Sequence, residues 1–205
     1  MIQPLRFVEI TDANDDLFSD WLDLYETSFP PEEKVLVSEF IELLKEKAKG
    51  TRPNSHIQAA LQNDRFVALL RYDLGKEPGI AYLWYLAVHP DARNTGVGAA
   101  CFDEVVRCAQ EAGMRGVAFE VETCEHCADP ERRELAERRV EFYKRQGSHL
   151  LGGIEYAHSV GPHQPEIPMH IMVRPIEPIT AVEAFEMARS LFGDAVAQVG
   201  ELELS

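Results

Sequence analysis

The 205-residue chain predicts a single α+β domain. Three observations point there. Apolar residues make up 45% of the sequence, enough for one well-buried core. Segments of strand and helix periodicity follow one another in the order β-α-α-β-β-β-α-β-α-β-β, with one more helix at the C-terminus. The three consecutive strands in the middle are joined by short turns, as an antiparallel meander requires. No repeat, low-complexity tract or linker divides the sequence.

The elements follow in order. "LRFVEI" (5–10) alternates like a strand, and Leu17, Phe18, Trp21, Leu22, Tyr25 and Phe29 then recur at helical spacing until Pro30-Pro31 ends the helix. A second helix starts near Ser38 and is expected to turn Phe40, Ile41, Leu44 and Ala48 inward. Lys45, Lys47 and Lys49 suit the negative pole at its end. The meander strands are "HIQAALQ", "RFVALLRYDL" and "GIAYLWYLAV", separated by Asn63-Asp64 and by "GKEPG". The helix after Gly98 is expected to bury Val97, Cys101, Val105, Cys108 and Ala112 and to stop at Gly113. "GVAFEVE" (116–122) reads as a strand covered on both faces. In "DPERRELAERRVEFYKRQG", Asp129 caps a helix, Pro130 suits its first turn and Gly147 its end. "SHLLGGIEYAHS" and "IPMHIMVRP" form two strands around a Gly/Pro/His loop. Thr180 and Glu183 then make a capping box for the last helix, which Gly193 stops.

Charge narrows the function. The formal net charge is −15, and it is uneven: residues 12–46 hold eleven acids against two lysines, and residues 176–205 six acids against one arginine. Such a chain repels nucleic acid and anionic membrane surfaces. The acidic ends are either solvated helix faces or the border of a site that favours a cationic substrate. The longest apolar run, "IAYLWYLAV", is far short of a membrane span, and the N-terminus shows no secretory signal, so a cytoplasmic location is expected. Cys101 and Cys108 read as reduced core residues. "CEHC" (124–127) lacks the second ligand pair of a zinc knuckle and reads as a loop without special chemistry; no metal is expected.

The most informative stretch lies between the third meander strand and the helix that follows: Arg93-Asn94-Thr95-Gly96-Val97-Gly98. A helix N-terminus leaves backbone N–H groups unpaired and partly positive, so it holds an anion without a basic cluster. Glycines at 96 and 98 let the backbone approach phosphate oxygens, and Arg93 adds a charge-assisted hydrogen bond. A Walker loop would need Gly-Lys-Ser/Thr where this chain has Gly98-Ala99-Ala100. A dinucleotide fingerprint would need a third glycine where it has Cys101.

"YLAVHPDARNTGVGAACFDEVVRCAQEAG" (85–113) resembles the acetyl-CoA-binding segment of the GNAT superfamily of N-acetyltransferases. Arg93, Gly96 and Gly98 fill the defined positions of Gln/Arg-x-x-Gly-x-Gly/Ala. "VEFYKRQGSHLL" (140–151) resembles the family's second motif, and the element order matches from about residue 5 to 175. The resemblance implies a mixed, mostly antiparallel central sheet splayed between two parallel central strands, with helices on both faces. Residues 1–175 would form the acetyltransferase domain, and residues 176–205 a C-terminal helical extension packed on it.

It also implies a chemistry. Acetyl-CoA is the co-substrate. Its pantetheine arm pairs with the backbone of Leu86, Ala87 and Val88 like an added strand. Its pyrophosphate sits on the N–H groups of Asn94, Thr95, Gly96, Val97, Gly98 and Ala99, beside Arg93. A backbone N–H near Val88 stabilises the oxyanion formed when an amine attacks the thioester directly, so no cysteine nucleophile is required. Tyr143 matches the family tyrosine that protonates the departing thiolate. The base is harder to assign, because residues 82–88 hold no carboxylate and Trp84 and Tyr85 stand where one is sought. Glu120 and Glu122 are the nearest alternatives, and Glu120 is the choice. His56, His158 and His170 each read as hydrogen-bonded structural residues.

Ala136 replaces the asparagine that relatives place seven residues before the tyrosine, and Arg132, Arg133, Arg138 and Arg139 surround it; these pair either with carboxylates or with the 3′-phosphate of CoA. The first two helices and the last loop would shape the acceptor side. Their acidity favours a polyamine, an aminosugar or a peptide amine, and a small amino acid stays open because its carboxylate needs only one local arginine; a homodimer is a further expectation. The rival to an acetyltransferase is a CoA-binding sensor or scaffold of the same fold.

Overall fold

The computed structural model describes residues 4–75, 79–123, 129–159 and 166–205. The strands are β1 (Arg6–Glu9), β2 (Ser55–Gln62), β3 (Arg65–Leu74), β4 (Ile80–Val88), β5 (Gly116–Glu122), β6 (His149–His158), β7 (Ile167–Pro175) and β8 (Val196–Leu204). The helices are α1 (Asp16–Ser28), α2 (Val37–Ala48), α3 (Val97–Glu111), α4 (Pro130–Arg145) and α5 (Ala181–Phe192). The strand order is β1-β2-β3-β4-β5-β7-β6-β8. The sheet is mostly antiparallel, and β4 with β5 is its parallel pair. The α+β expectation therefore holds. The described residues fall into two compact units, Met1–Leu74 with Leu83–Arg107, and Gly75–Tyr82 with Cys108–Ser205.

In the first unit β1, β2 and β3 pair antiparallel, with Phe7 opposite Ala60 and Ile57 opposite Arg71. Asn63 and Asp64 take φ of 51° and 60°, the double left-handed turn that closes a tight hairpin. α1 opens on Asp15, whose carboxylate accepts from the Leu17 N–H at 2.9 Å. Its inward face, Phe18, Trp21, Leu24 and Tyr25, packs with Phe40, Leu43 and Leu44 of α2 and with Ile57, Leu69 and Tyr85. The rings meet edge to face: Tyr25 lies 4.9 Å from both Phe40 and Tyr85. Ala48, expected inward, is exposed. The buried stripe of α2 runs 40, 43, 44, and its next position belongs to Lys47, whose ammonium reaches the Glu9 carboxylate and the Ser55 carbonyl.

In α3 the buried stripe is Val97, Cys101, Phe102, Val105 and Ala109. Cys108 is only half-buried and Ala112 is exposed, against expectation. The helix ends at Glu111, so Ala112 lies in the exit turn, while Phe102 and Ala109 hold the centre of the covered face. Burial pushes the Cys101 thiol up to about 12, which leaves it an inert core residue.

In the second unit, Ile80, Ala81 and Tyr82 of β4 run parallel to Gly116, Val117 and Ala118 of β5. β7 pairs antiparallel with β5 and β6, and β6 pairs with β8. α4 opens on Asp129, which accepts from the Glu131 N–H at 3.0 Å; Gly147 beyond its end has φ 79°. In α5 the Thr180–Glu183 capping box is formed, and Ala184, Phe185, Met187 and Ala188 pack on Leu151, Tyr156, Ile171 and Val173. The C-terminal segment holds more than a helix: β8 adds a strand beside β6. At the register shift in β6, Gly153 takes φ 77°, and a Cβ there would collide with the Glu201 carbonyl. No helix among the described residues is long and apolar enough to cross a membrane. "CEHC" (124–127) and most of the loop before β7 lie outside the described residues.

Candidate active site

The turn after β4 is built by local bonds. The His89 N–H donates to the Val67 carbonyl at 2.8 Å, so the strand's end stays attached to its neighbour. Pro90–Ala92 make one tight turn, the Thr95 hydroxyl donates to the Ala92 carbonyl at 2.6 Å, and Arg93 Nε donates to the Val88 carbonyl at 3.1 Å. Asn94 and Gly96 have φ of 61° and 90°. Alternation of left- and right-handed residues points successive N–H groups toward one concavity, an anion-binding nest. The Ala100 N–H donates to the Gly96 carbonyl at 3.1 Å, so the N–H groups of Val97, Gly98 and Ala99 precede the helical ladder. Gly96 meets the left-handed requirement, while Gly98 keeps the first turn of α3 without a side chain. This turn fits a pyrophosphate held by backbone.

β4 also anchors the segment between α1 and α2. The Tyr85 hydroxyl donates to the Glu33 carbonyl at 2.8 Å and accepts from the Val35 N–H at 3.3 Å; the Tyr25 hydroxyl donates to the Val35 carbonyl at 3.0 Å. Beside it, Trp84 Nε1 donates to Asp73 at 2.8 Å, and the Arg71 guanidinium clamps the same carboxylate at 2.8 and 3.2 Å. Burial works to raise the Asp73 carboxyl, but Arg71, Ser55 and Trp84 outweigh it and hold it below its usual range. A carboxylate therefore does stand next to Trp84, on β3 rather than β4. The hint in the sequence is "RYD", which puts Arg71 and Asp73 on one strand face.

In the second unit Glu120 is a hub. Its carboxylate accepts the hydroxyls of Tyr82 and Tyr156, and His158 Nδ1 lies 2.7 Å from Oε1. Phe192 packs against both tyrosines at 5.2 and 4.9 Å. Burial first, and then the Glu120 charge, push the Tyr156 phenol up. Glu122 is instead paired with Arg132 at 2.6 Å, and Arg138 pairs with Glu134 at 2.6 Å, so carboxylates engage both of these α4 arginines. His56 stacks on Tyr72 at 4.8 Å and faces Glu9, a structural role as expected.

Tyr143 is buried, with its ring 4.2 Å from that of Phe119 and 5.0 Å from that of Phe142. Burial pushes its phenol up to about 12, with Arg139 opposing. Ala136 is buried on the same helix. The hub around Glu120 escapes sequence reading because its members come from three strands whose pairing order no local pattern records.

Residues 15–147 match the profile of the acetyltransferase (GNAT) family. The chain belongs to the GNAT family. A GNAT-family protein from Bacteroides thetaiotaomicron superposes with a TM-score of 0.71 at 24% identity, over 92% of this chain and 98% of that one. One from Desulfovibrio desulfuricans gives 0.60 at 21% identity, over 84% and 99%. A Bacillus subtilis acetyltransferase in complex with CoA gives 0.53 at 12% identity, over 84% and 99%. These likenesses share the fold. No curated protein matches the sequence. GNAT acetyltransferases use acetyl-CoA as co-substrate. The nest of Asn94–Ala99 suits that molecule's pyrophosphate, with Arg93 at its edge.

Proposed function

We propose that this GNAT protein moves an acetyl group directly from acetyl-CoA to a primary amine, and that the amine belongs to a cationic acceptor. The observation that carries the reading is the nest at the start of α3, three N–H groups ahead of the helical ladder beside a left-handed Gly96. Acetyl-CoA supplies the activated thioester; the chain's own groups bind it and manage protons. Leu86, Ala87 and Val88 offer backbone to the pantetheine arm. A backbone N–H near Val88 meets the oxyanion. The amine nitrogen forms its bond to the acetyl carbon as the carbonyl pair moves onto oxygen, and the carbon–sulfur bond breaks as the carbonyl re-forms, sending its pair to the thiolate. Tyr143 gives the thiolate a proton; its elevated phenol holds that proton throughout neutral pH. Glu120, with His158 as its neighbour, accepts the proton lost by the amine. Residues 1–175 form the acetyltransferase domain and 176–205 its extension, in a cytoplasmic protein that acts as a homodimer.

A CoA-binding sensor is the second reading, favoured by the lack of a carboxylate in β4 from Tyr82 to Val88. Release of free thiol from acetyl-CoA across a panel of amines, for wild type and Tyr143→Phe, separates the two. Amine-dependent release that falls in the variant supports transfer. Stabilisation by CoA with no release under any amine supports the sensor.

A further inference from the structure

The first unit carries a pocket of ≈ 260 Å³ between α2 and the strands β3 and β4. Its wall is apolar and aromatic: Phe40, Leu43, Trp84 and Tyr85. Trp84 stays 36% exposed, a large ring open at a pocket mouth. The ring already receives one cation, since the Arg71 guanidinium lies 5.3 Å from its centroid. Tyr85 ties the same wall to the segment before α2, which gives the pocket a fixed shape.

The charges at its edge decide what enters. Arg71 lines the pocket but is almost fully buried and committed to Asp73 through both terminal nitrogens, so that pair is neutral as a unit. Glu39, Glu42 and Glu46 project from one face of α2. At 1.5 Å per residue they line about 10 Å of its length. Their cations hold them loosely: Lys45 meets Glu42 at 3.4 Å with both side chains more than half exposed, and Arg52 meets Glu46 at 3.9 Å. Arg52 also lines the pocket; with Arg71 neutralised by Asp73, the lining keeps three carboxylates against one guanidinium, so the field is negative over an apolar wall. A carboxylate-bearing ligand would face three acids, whereas an alkyl stem with an ammonium at its far end satisfies both wall and rim.

We propose that this pocket binds the distal, non-reacting end of a linear aliphatic diamine or polyamine, its alkyl stem on Phe40, Leu43, Trp84 and Tyr85 and its far ammonium at Glu42 and Glu46. The assignment rests on the amine-acetylation reading above and names its substrate class. Glu39 is left out of the test, because its carboxylate also accepts from the Leu36 N–H at 3.2 Å and caps α2.

The experiment measures KM for putrescine, spermidine, n-butylamine and phenylalanine, with acetyl-CoA saturating, in wild type and in the double variant Glu42→Gln/Glu46→Gln. The expected wild-type result is a KM for the two polyamines about tenfold or more below that for n-butylamine. In the variant that ratio should collapse toward one, with a melting curve in CoA reporting an intact fold. Equal KM values for putrescine and n-butylamine in wild type, or a preference for phenylalanine, would overturn the proposal while leaving amine acetylation standing. If no amine releases thiol, the acetyl-transfer reading fails instead, and stabilisation by spermidine alone decides the pocket. A shift present in wild type and lost in the variant sustains it; no shift ends it.

Discussion

The Tyr85 hydroxyl donates to the Glu33 carbonyl at 2.8 Å and thereby fastens β4 to the segment between α1 and α2. One phenol ties the strand that ends at the turn before α3 to the segment that leads into the pocket. Tyr85→Phe keeps the ring packing against Tyr25 and Phe29 and removes only the hydrogen bonds. The expected cost is about 1 kcal/mol of stability. KM for the acceptor should rise severalfold while CoA affinity stays at the wild-type value. Steady-state kinetics with calorimetric titration of CoA checks both.

Gly96 sits at φ 90°, where a side chain is strained, and beside the N–H groups assigned to pyrophosphate. Gly96→Val should weaken CoA binding at least about tenfold, with a fold that still melts cooperatively and about 1–3 kcal/mol of local strain. Unchanged CoA affinity in a folded variant would remove the pyrophosphate assignment.

Asp73 carries a pH signature. Its carboxyl titrates below the unfolded value of about 3.9, so the stabilisation it gives is complete above that pH and is lost as pH falls through the lower folded-state value. Wild-type melting temperature should drop below about pH 4, and the drop should be shallower in Asp73→Asn. At neutral pH, Asp73→Ala strands the buried Arg71 guanidinium and should cost about 3 kcal/mol, read from denaturant melts.

Much of this was legible in the sequence, for identifiable reasons. Helix limits followed from signals that act locally: Pro30 after α1, Asp129 and Gly147 around α4, Thr180 and Gly193 around α5. The turn before α3 could be picked out because its glycines, its arginine and the helix behind it are contiguous. Ala48 and Ala112 misled because alanine marks neither face of a helix: Lys47 takes the next inward position after Leu44, and Ala112 lies past the end of α3. β8 went unseen because "VAQVGELEL" is an edge strand with most of its side chains in solvent, which leaves little apolar alternation to detect. The Asp73–Arg71–Trp84 group and the Glu120 hub needed strand partners, and partnership is a property of the whole sheet.

Tyr143 links burial to the pH profile. A phenol pushed up to about 12 stays protonated far past the unperturbed tyrosine value of about 10. The rate of acetyl transfer should show no descending limb centred near pH 10. Tyr143→Phe should lower kcat about 100-fold with little change in CoA affinity. A wild-type limb at about pH 10, or an unchanged kcat in the variant, would return Tyr143 to a purely structural role.

The most direct test of acetyl transfer follows both products of one reaction. Protein, acetyl-CoA and spermidine are incubated together, and free CoA and acetylated amine are quantified by mass spectrometry over time. The account predicts equal amounts of the two, rising together and only when enzyme and amine are both present. Bound CoA with no acetylated amine, or thiol released without it, would contradict the account.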